Sequence, residues 1–350
     1  MSTGPSVLTP SSWRPDAPLN VDDLGDSSAR FFAQLSSEGR APAHVRIYAT
    51  AATADAAVAA VMATAPSEPV VSVVTANPCS GGDIAGLHVL SAPADQPIET
   101  IRDGEEVVGV KVGGGSPIIV LAGLTTPQDG VADDEFTVLF RRAESLLTPH
   151  GLSFTDVART WLHLPKLLRD YDALNRARSA FFATRGIGRD IAPPASTGIQ
   201  GGTRDGGRMQ MDLVATAPEG FRPVVANLQC EAWEYGSAFS RGMTLGDDLV
   251  TVSGTASIDA NGRTIHVDDA IEQIRATWAT VGQLLSAEDL SLPPSGPQAW
   301  VLYFKDPSVW AAWRELVAAG EVQEPAEAVC VYADVCRDDL LFEMELTAGR

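Results

Sequence analysis

The chain has 350 residues, 45% of them hydrophobic, with a mean hydropathy of +0.03; it can bury a large core, and its length suggests two domains. Its 45 acidic residues against 25 basic ones give a net charge of −20, which repels phosphate backbones and anionic membranes and makes nucleic acid and lipid surfaces poor partners. An anionic small molecule would need a local basic pocket.

Residues 1–40 read as an irregular lead-in, proline-rich before Asn20 and without the charged-then-apolar pattern of a leader. No apolar run approaches the length of about 18 residues that a membrane span requires, so a cytoplasmic location is expected. A strand is expected over Val45 to Tyr48, a helix over Ala54 to Ala65 with Thr53 as N-cap, and a β-branched strand over Val70 to Thr75. Short strands follow at Ile84 to Leu90 and Glu106 to Val112. Alternating strands and helices point to an α/β class with α+β layers, mixed sheets being covered by helices on one face.

An internal repeat comes next. Its first copy is a strand from Ile118 to Leu124 closing on Gly123-Leu124, a helix from about Asp134 to Leu147, and a strand ending Arg159-Thr160-Trp161-Leu162-His163-Leu164. The second copy is Leu249 to Ala256 with Gly254, a helix from about Asp268 to Leu285, and the strand Gln298 to Lys305. In that second helix Ile271, Ile274, Trp278, Val281 and Leu285 form one apolar stripe. Each copy is followed by a second helix, at Leu167 to Thr184 and at Ser308 to Ala319, and then by a strand, at Arg208 to Ala215 and at Ala328 to Ala333. His163 reads as a core histidine, and Trp278, Trp310 and Trp313 as packing residues.

The final strand runs through Phe342-Glu343-Met344-Glu345-Leu346. Its alternation puts Glu343 and Glu345 on one face, roughly 7 Å apart, and the apolar residues on the other. On composition alone the two carboxylates suit a solvent-facing edge strand. The four cysteines, Cys79, Cys230, Cys330 and Cys336, and five scattered histidines have no metal-ligand spacing, and the cysteines read as reduced thiols.

Several of these segments resemble the YjgF/RidA superfamily. They are Arg159-Thr160-Trp161-Leu162, Tyr171, Asn175, Phe181-Phe182, Pro194-Ala195-Ser196-Thr197-Gly198-Ile199, Ser253-Gly254-Thr255-Ala256-Ser257 with Gln273, and the closing Glu343-Met344-Glu345. A chain of this length holding tandem RidA-like (chorismate-mutase-like) units resembles the chorismatase family. The likeness is good over 115–350 and looser over 40–115. It implies a degenerate RidA-like N-terminal domain at 41–150 and a catalytic one at 151–350.

The resemblance implies an enzyme of secondary metabolism that acts on chorismate, a dianion, releasing its enolpyruvyl group as pyruvate without cofactor or metal, as a monomer or small homo-oligomer. It also implies that Glu343 is the general acid, protonating the methylene carbon. To be protonated at neutral pH a Glu must be raised from about 4.3 to above 7, at a cost of about 4 kcal/mol; burial and the neighbouring Glu345 act in that direction. Hydrolytic chorismatases carry Ala in the middle of the Ser-x-Thr-Ala turn and before the Arg of the last strand. Here those places hold Gly254 and Cys336, a combination resembling the branch that forms 3-hydroxybenzoate through an arene oxide. Gly254 would open a methyl's worth of space, and the Cys336 thiol would hydrogen-bond the substrate or relay a proton.

Arg241 is the first choice for the carboxylate clamp because a guanidinium binds a carboxylate bidentately; Tyr235, Lys305, Arg159 and the backbone of Gly198 are further substrate-binding candidates, and Gly201-Gly202 could add anion contacts. The alternatives are the hydrolytic activity, which gives a dihydroxycyclohexadiene carboxylate, and a non-catalytic small-molecule-binding protein. Imine deamination of the RidA kind is disfavoured because the strand Ala328 to Ala333 lacks an Arg.

Overall fold

The computed structural model describes residues 8–113, 117–126, 132–225 and 238–350. Three mixed sheets are formed, and one connectivity generates all three. In the middle of the chain it reads β8 (Ile118–Thr125), α3 (Ala132–Leu147), β9 (Val157–Leu164), α4 (Leu167–Ala183), β10 (Ala195–Gln200) and β11 (Gln210–Ala215). It recurs as β14 (Leu249–Ala256), α5 (Ala270–Ser286), β15 (Gln298–Phe304), α6 (Pro307–Ala318), β16 (Val329–Tyr332) and β17 (Phe342–Gly349). The strand orders, β10-β9-β11-β8 and β16-β15-β17-β14, are identical, with one parallel pair in each. Each of these sheets also carries two preceding antiparallel strands: β6 (Ile98–Asp103) and β7 (Glu106–Val112) on one, β12 (Phe221–Pro223) and β13 (Gly242–Leu245) on the other.

The same arrangement occurs a third time near the start of the chain. There β1 (Thr9–Trp13), α1 (Leu24–Ser37), β2 (Arg40–Ala49), α2 (Ala54–Thr64), β3 (Val70–Thr75) and β5 (Ile84–Pro93) give the order β3-β2-β5-β1, with β2 and β3 parallel. The lead-in expected over 1–40 is therefore, from residue 9 onward, the opening of a third unit. Leu24, Phe32 and Leu35 form the buried stripe of α1. The expected division at 150/151 also falls inside a sheet, between α3 and β9; the repeats are 9–93, 98–215 and 221–349. The short β4 (Asn77–Pro78) leaves its own unit to pair with β16.

Helices cover the outer faces. Phe140, Phe154, Phe181 and Phe182 interlock under α3 and α4, while Trp278, Trp300, Trp313 and Phe304 do the same in the third unit. Asp269 and Asp306 cap α5 and α6 by accepting from the first-turn backbone amides. The inner faces of the three sheets meet on apolar clusters that span the units, and between these lies a buried charged group. Arg46 lies 4.3 Å and Arg159 4.5 Å from the ring of Trp161, and Asp212 accepts from Arg46 Nε and Ser72 Oγ, each at 2.7 Å. His163, with its buried ring held neutral by desolvation, lies beside Tyr48. The units close a ring: β3 packs on β8, β10 on β14, and β16 on β5 of the first unit.

Candidate active site

Register places the acid. β17 is a central strand, between β14 and β15, so the solvent-facing edge suggested by composition is not what forms; all eight of its residues are buried. Glu343 stands opposite Ala256 on one side and Tyr303 on the other. A bulge in β14 sets Ser253 and Gly254 against the single residue Glu345. A Cβ at Gly254 would lie 2.1 Å from Glu343 Oε1 and 2.9 Å from its Cδ, so any side chain there would displace the carboxyl. The space expected to open for substrate is thus taken by the acid's own carboxyl group.

The second carboxylate is tied down. Glu345 accepts from Arg159 at 2.5 Å, from Tyr303 at 3.0 Å and from Thr197 Oγ1, while Thr197 also accepts from the Gly254 backbone amide at 2.9 Å. Glu343 is 4% exposed. Burial first, and then the charge of Glu345, push its carboxyl up to about 8, against the pull of Arg159 and Arg241. It is therefore mostly protonated at neutral pH.

Glu343 lies on a cavity at the seam between the second and third units, with an empty volume of about 560 Å³ including its mouth. Gly198, Gly254, Arg241 and Cys336 of the expected set line it. Burial pushes the Cys336 thiol up to about 12, with the charge of Glu343 adding to the effect, so it is a neutral donor. Arg241 is 5% exposed and lies 5.6 Å from the ring of Phe239, which lines the same space. Tyr235 and Cys230 lie outside the described residues.

Two expected clamps are elsewhere. Lys305 does not line the cavity; its ammonium is bound to the carboxylate and carbonyl of Asp338 at the surface. Arg159 is enclosed in the protein centre as the partner of Glu345 and does not line the cavity either. Sequence position alone does not say which carboxylate, in the same unit for Lys305 and in the next for Arg159, will offer the counter-charge. Gly202 spends its backbone amide and carbonyl on Thr75, and with Gly201 lines a different cleft.

Two cations not anticipated from the sequence take their place. Arg178, on the inner face of α4 and 3% exposed, and Arg337, just after Cys336, both line the cavity. Arg178 was concealed in the polar run Asp170 to Ser179, although its helical spacing from Tyr171 and Leu174 puts it on the buried face. Three guanidinium groups and one protonatable carboxyl thus converge in a chain of net charge −20. Among the described residues there is no group of His, Cys, Asp and Glu suited to a metal ion, and no helix long and apolar enough to cross a membrane.

Fold and cavity together define an α/β protein of three tandem units with a buried acid at one inter-unit seam. No family model and no curated protein matches the sequence. Among solved structures, a chorismatase superposes with a TM-score of 0.69 at 16% identity, covering 99% of this chain and 100% of that one. The chain therefore has the chorismatase fold over its whole length. The YjgF gene product from E. coli matches 37% of this chain and 98% of its own, at 20% identity and a TM-score of 0.29; E. coli TdcF matches with the same four values.

Proposed function

We propose that this protein converts chorismate to 3-hydroxybenzoate and pyruvate. The observation that carries the reading is the Glu343 carboxyl, raised to about 8 on the wall of a cavity that also presents Arg178, Arg241 and Arg337. A dianion needs those cations, and an enol ether needs that acid. The chorismatase fold is the supporting fact.

In this mechanism the enolpyruvyl methylene carbon takes the Glu343 proton, and the adjoining carbon becomes oxocarbenium-like. The neighbouring ring hydroxyl oxygen then attacks the ring carbon that bears the ether. The ether C–O bond breaks, pyruvate leaves, and the hydroxyl proton returns to Glu343. The resulting arene oxide opens with loss of the ring proton and becomes aromatic. No water is consumed, and the atoms of chorismate equal those of 3-hydroxybenzoate plus pyruvate. Internal attack benefits from the proximity of hydroxyl and ether on one ring, and the neutral Cys336 thiol stands by as a donor to the displaced oxygen. Were water to attack the activated pyruvyl carbon instead, the product would be the dihydroxycyclohexadiene carboxylate.

Incubation of the purified protein with chorismate, with no metal or nucleotide added, tests this. Equal amounts of 3-hydroxybenzoate and pyruvate are expected. The diol in place of the aromatic acid would assign the hydrolytic chemistry, and unchanged chorismate with simple binding would leave a non-catalytic binding protein.

A further inference from the structure

The ring of three units has three seams, and strand register identifies the same position in each. In the second unit the β8 bulge sets Ala122 and Gly123 against the single residue Asp212, as Ser253 and Gly254 face Glu345 in the third. Gly123 thus corresponds to Gly254. Gln210, paired with His163, corresponds to Glu343, paired with Tyr303. In the first unit the corresponding residue, paired with Tyr48, is Gly86. At that seam the equivalent position is filled, since a Cβ on Gly86 would meet Trp13 O at 2.3 Å and Val329 Cγ2 at 2.9 Å; the cleft that the seam does carry, lined by Arg14, Arg314 and Glu324, does not include Gly86.

The seam between the first and second units is open. Its cleft has an empty volume of about 920 Å³ including its mouth, larger than the Glu343 cavity. Gln210 lines it, is 2% exposed, and its side-chain nitrogen Nε2 has no hydrogen-bond partner. A buried primary amide left unpaired costs about 1–3 kcal/mol. The charge of the cleft is opposite to that of the Glu343 cavity. Among the described lining residues, Asp55, Glu106 and Asp205 stand against one cation, Arg204, whose guanidinium is bound to Asp55, while Arg142 pairs with Glu106 at 3.4 Å.

We propose that this cleft is a second ligand site, for a small neutral or cationic polar molecule that offers an oxygen acceptor to the Gln210 amide and an amine to the acidic rim. The amide reads the ligand without being able to protonate it. The rim repels chorismate and any anionic product, so the site is not a spare copy of the Glu343 cavity and does not depend on what that cavity does.

The test uses the full chain labelled with ¹⁵N-glutamine, the Gln210 side-chain resonance being assigned by its absence in Gln210→Met. Glycinamide, acetamide and acetate are the probes. Glycinamide is expected to shift the Gln210 amide saturably, acetamide more weakly and acetate least. In equilibrium dialysis, Gln210→Met should bind glycinamide about fivefold more weakly, the loss of one neutral hydrogen bond, with a melting temperature at or above that of wild type, because the unpaired amide is gone, and with chorismate turnover unchanged. No saturable shift with any probe, preference for acetate, or undiminished glycinamide binding by Gln210→Met would each overturn the proposal. None of these outcomes bears on turnover at Glu343.

Discussion

Glu343→Gln separates the acid from everything else that Glu343 does. The substitution keeps shape and volume while removing the transferable proton, and Gln210 already occupies the equivalent place in the second unit. Loss of a general acid lowers turnover by about 10² to 10⁴. The same substitution has a calculable effect on stability. The carboxyl titrates at about 8 when folded against a reference of 4.5. The folded state therefore holds this proton more tightly than the unfolded chain does. The associated stability is fully present below about pH 4.5 and is lost progressively until pH 8. The span corresponds to about 5 kcal/mol, and Glu343→Gln is free of that loss. Denaturant melts of both proteins from pH 5 to 9 should show the variant gaining on wild type up to pH 8 and then running parallel, while wild-type kcat/KM for chorismate falls above the same pH. A stability difference that does not change with pH would refute a buried, proton-retaining acid. Wild-type-like turnover in the variant would remove Glu343 from the acid role.

Three further outcomes are expected. Gly254→Ala puts a methyl where the Glu343 carboxyl lies; turnover should drop and the 3-hydroxybenzoate share should fall, by chromatography of products, and an unchanged rate and ratio would show that the carboxyl has another place to go. Cys336→Ala removes the thiol donor; the product mixture should shift toward the diol with the melting temperature kept, and a constant ratio would exclude the thiol from partitioning. Arg159→Met strands Glu345 without its cation and should cost about 3–5 kcal/mol by denaturant melts; Arg241→Met should instead raise KM for chorismate with stability kept, and the reverse pattern would exchange the roles of the two arginines.

Much of the scaffold was legible because its signals are local. The strands Val70–Thr75 and Glu106–Val112 and the helices α2, α3, α5 and α6 lie within two residues of their expected bounds, since β-branched runs, capping residues and apolar stripes are short-range patterns. The first unit was hidden because β1 is only five residues long and contains Pro10, and because its sheet lacks the two leading strands that mark the others. Within the site, Glu343, Gly254 and Cys336 were reached through resemblance, and all three line one cavity. Lys305 and Arg159 were misplaced for a different reason: one follows the end of β15 and the other lies in β9, and the carboxylate that takes each charge comes from elsewhere in the sequence. Asp338 binds the first and Glu345 the second. Arg178 was missed because a buried guanidinium in a polar helix looks like a solvated one until the cavity is seen.

β17 follows β14, β15 and β16 along the chain yet inserts between β14 and β15. Until it does, the third sheet is two separate halves, and the carboxyl that this strand carries is in water, where it ionises easily. Completing the architecture and raising the affinity of this carboxyl for its proton are thus one event. A molecule whose third sheet is continuous already has the Glu343 carboxyl desolvated in place, and a partly assembled one has neither a whole sheet nor a carboxyl that keeps its proton near neutrality.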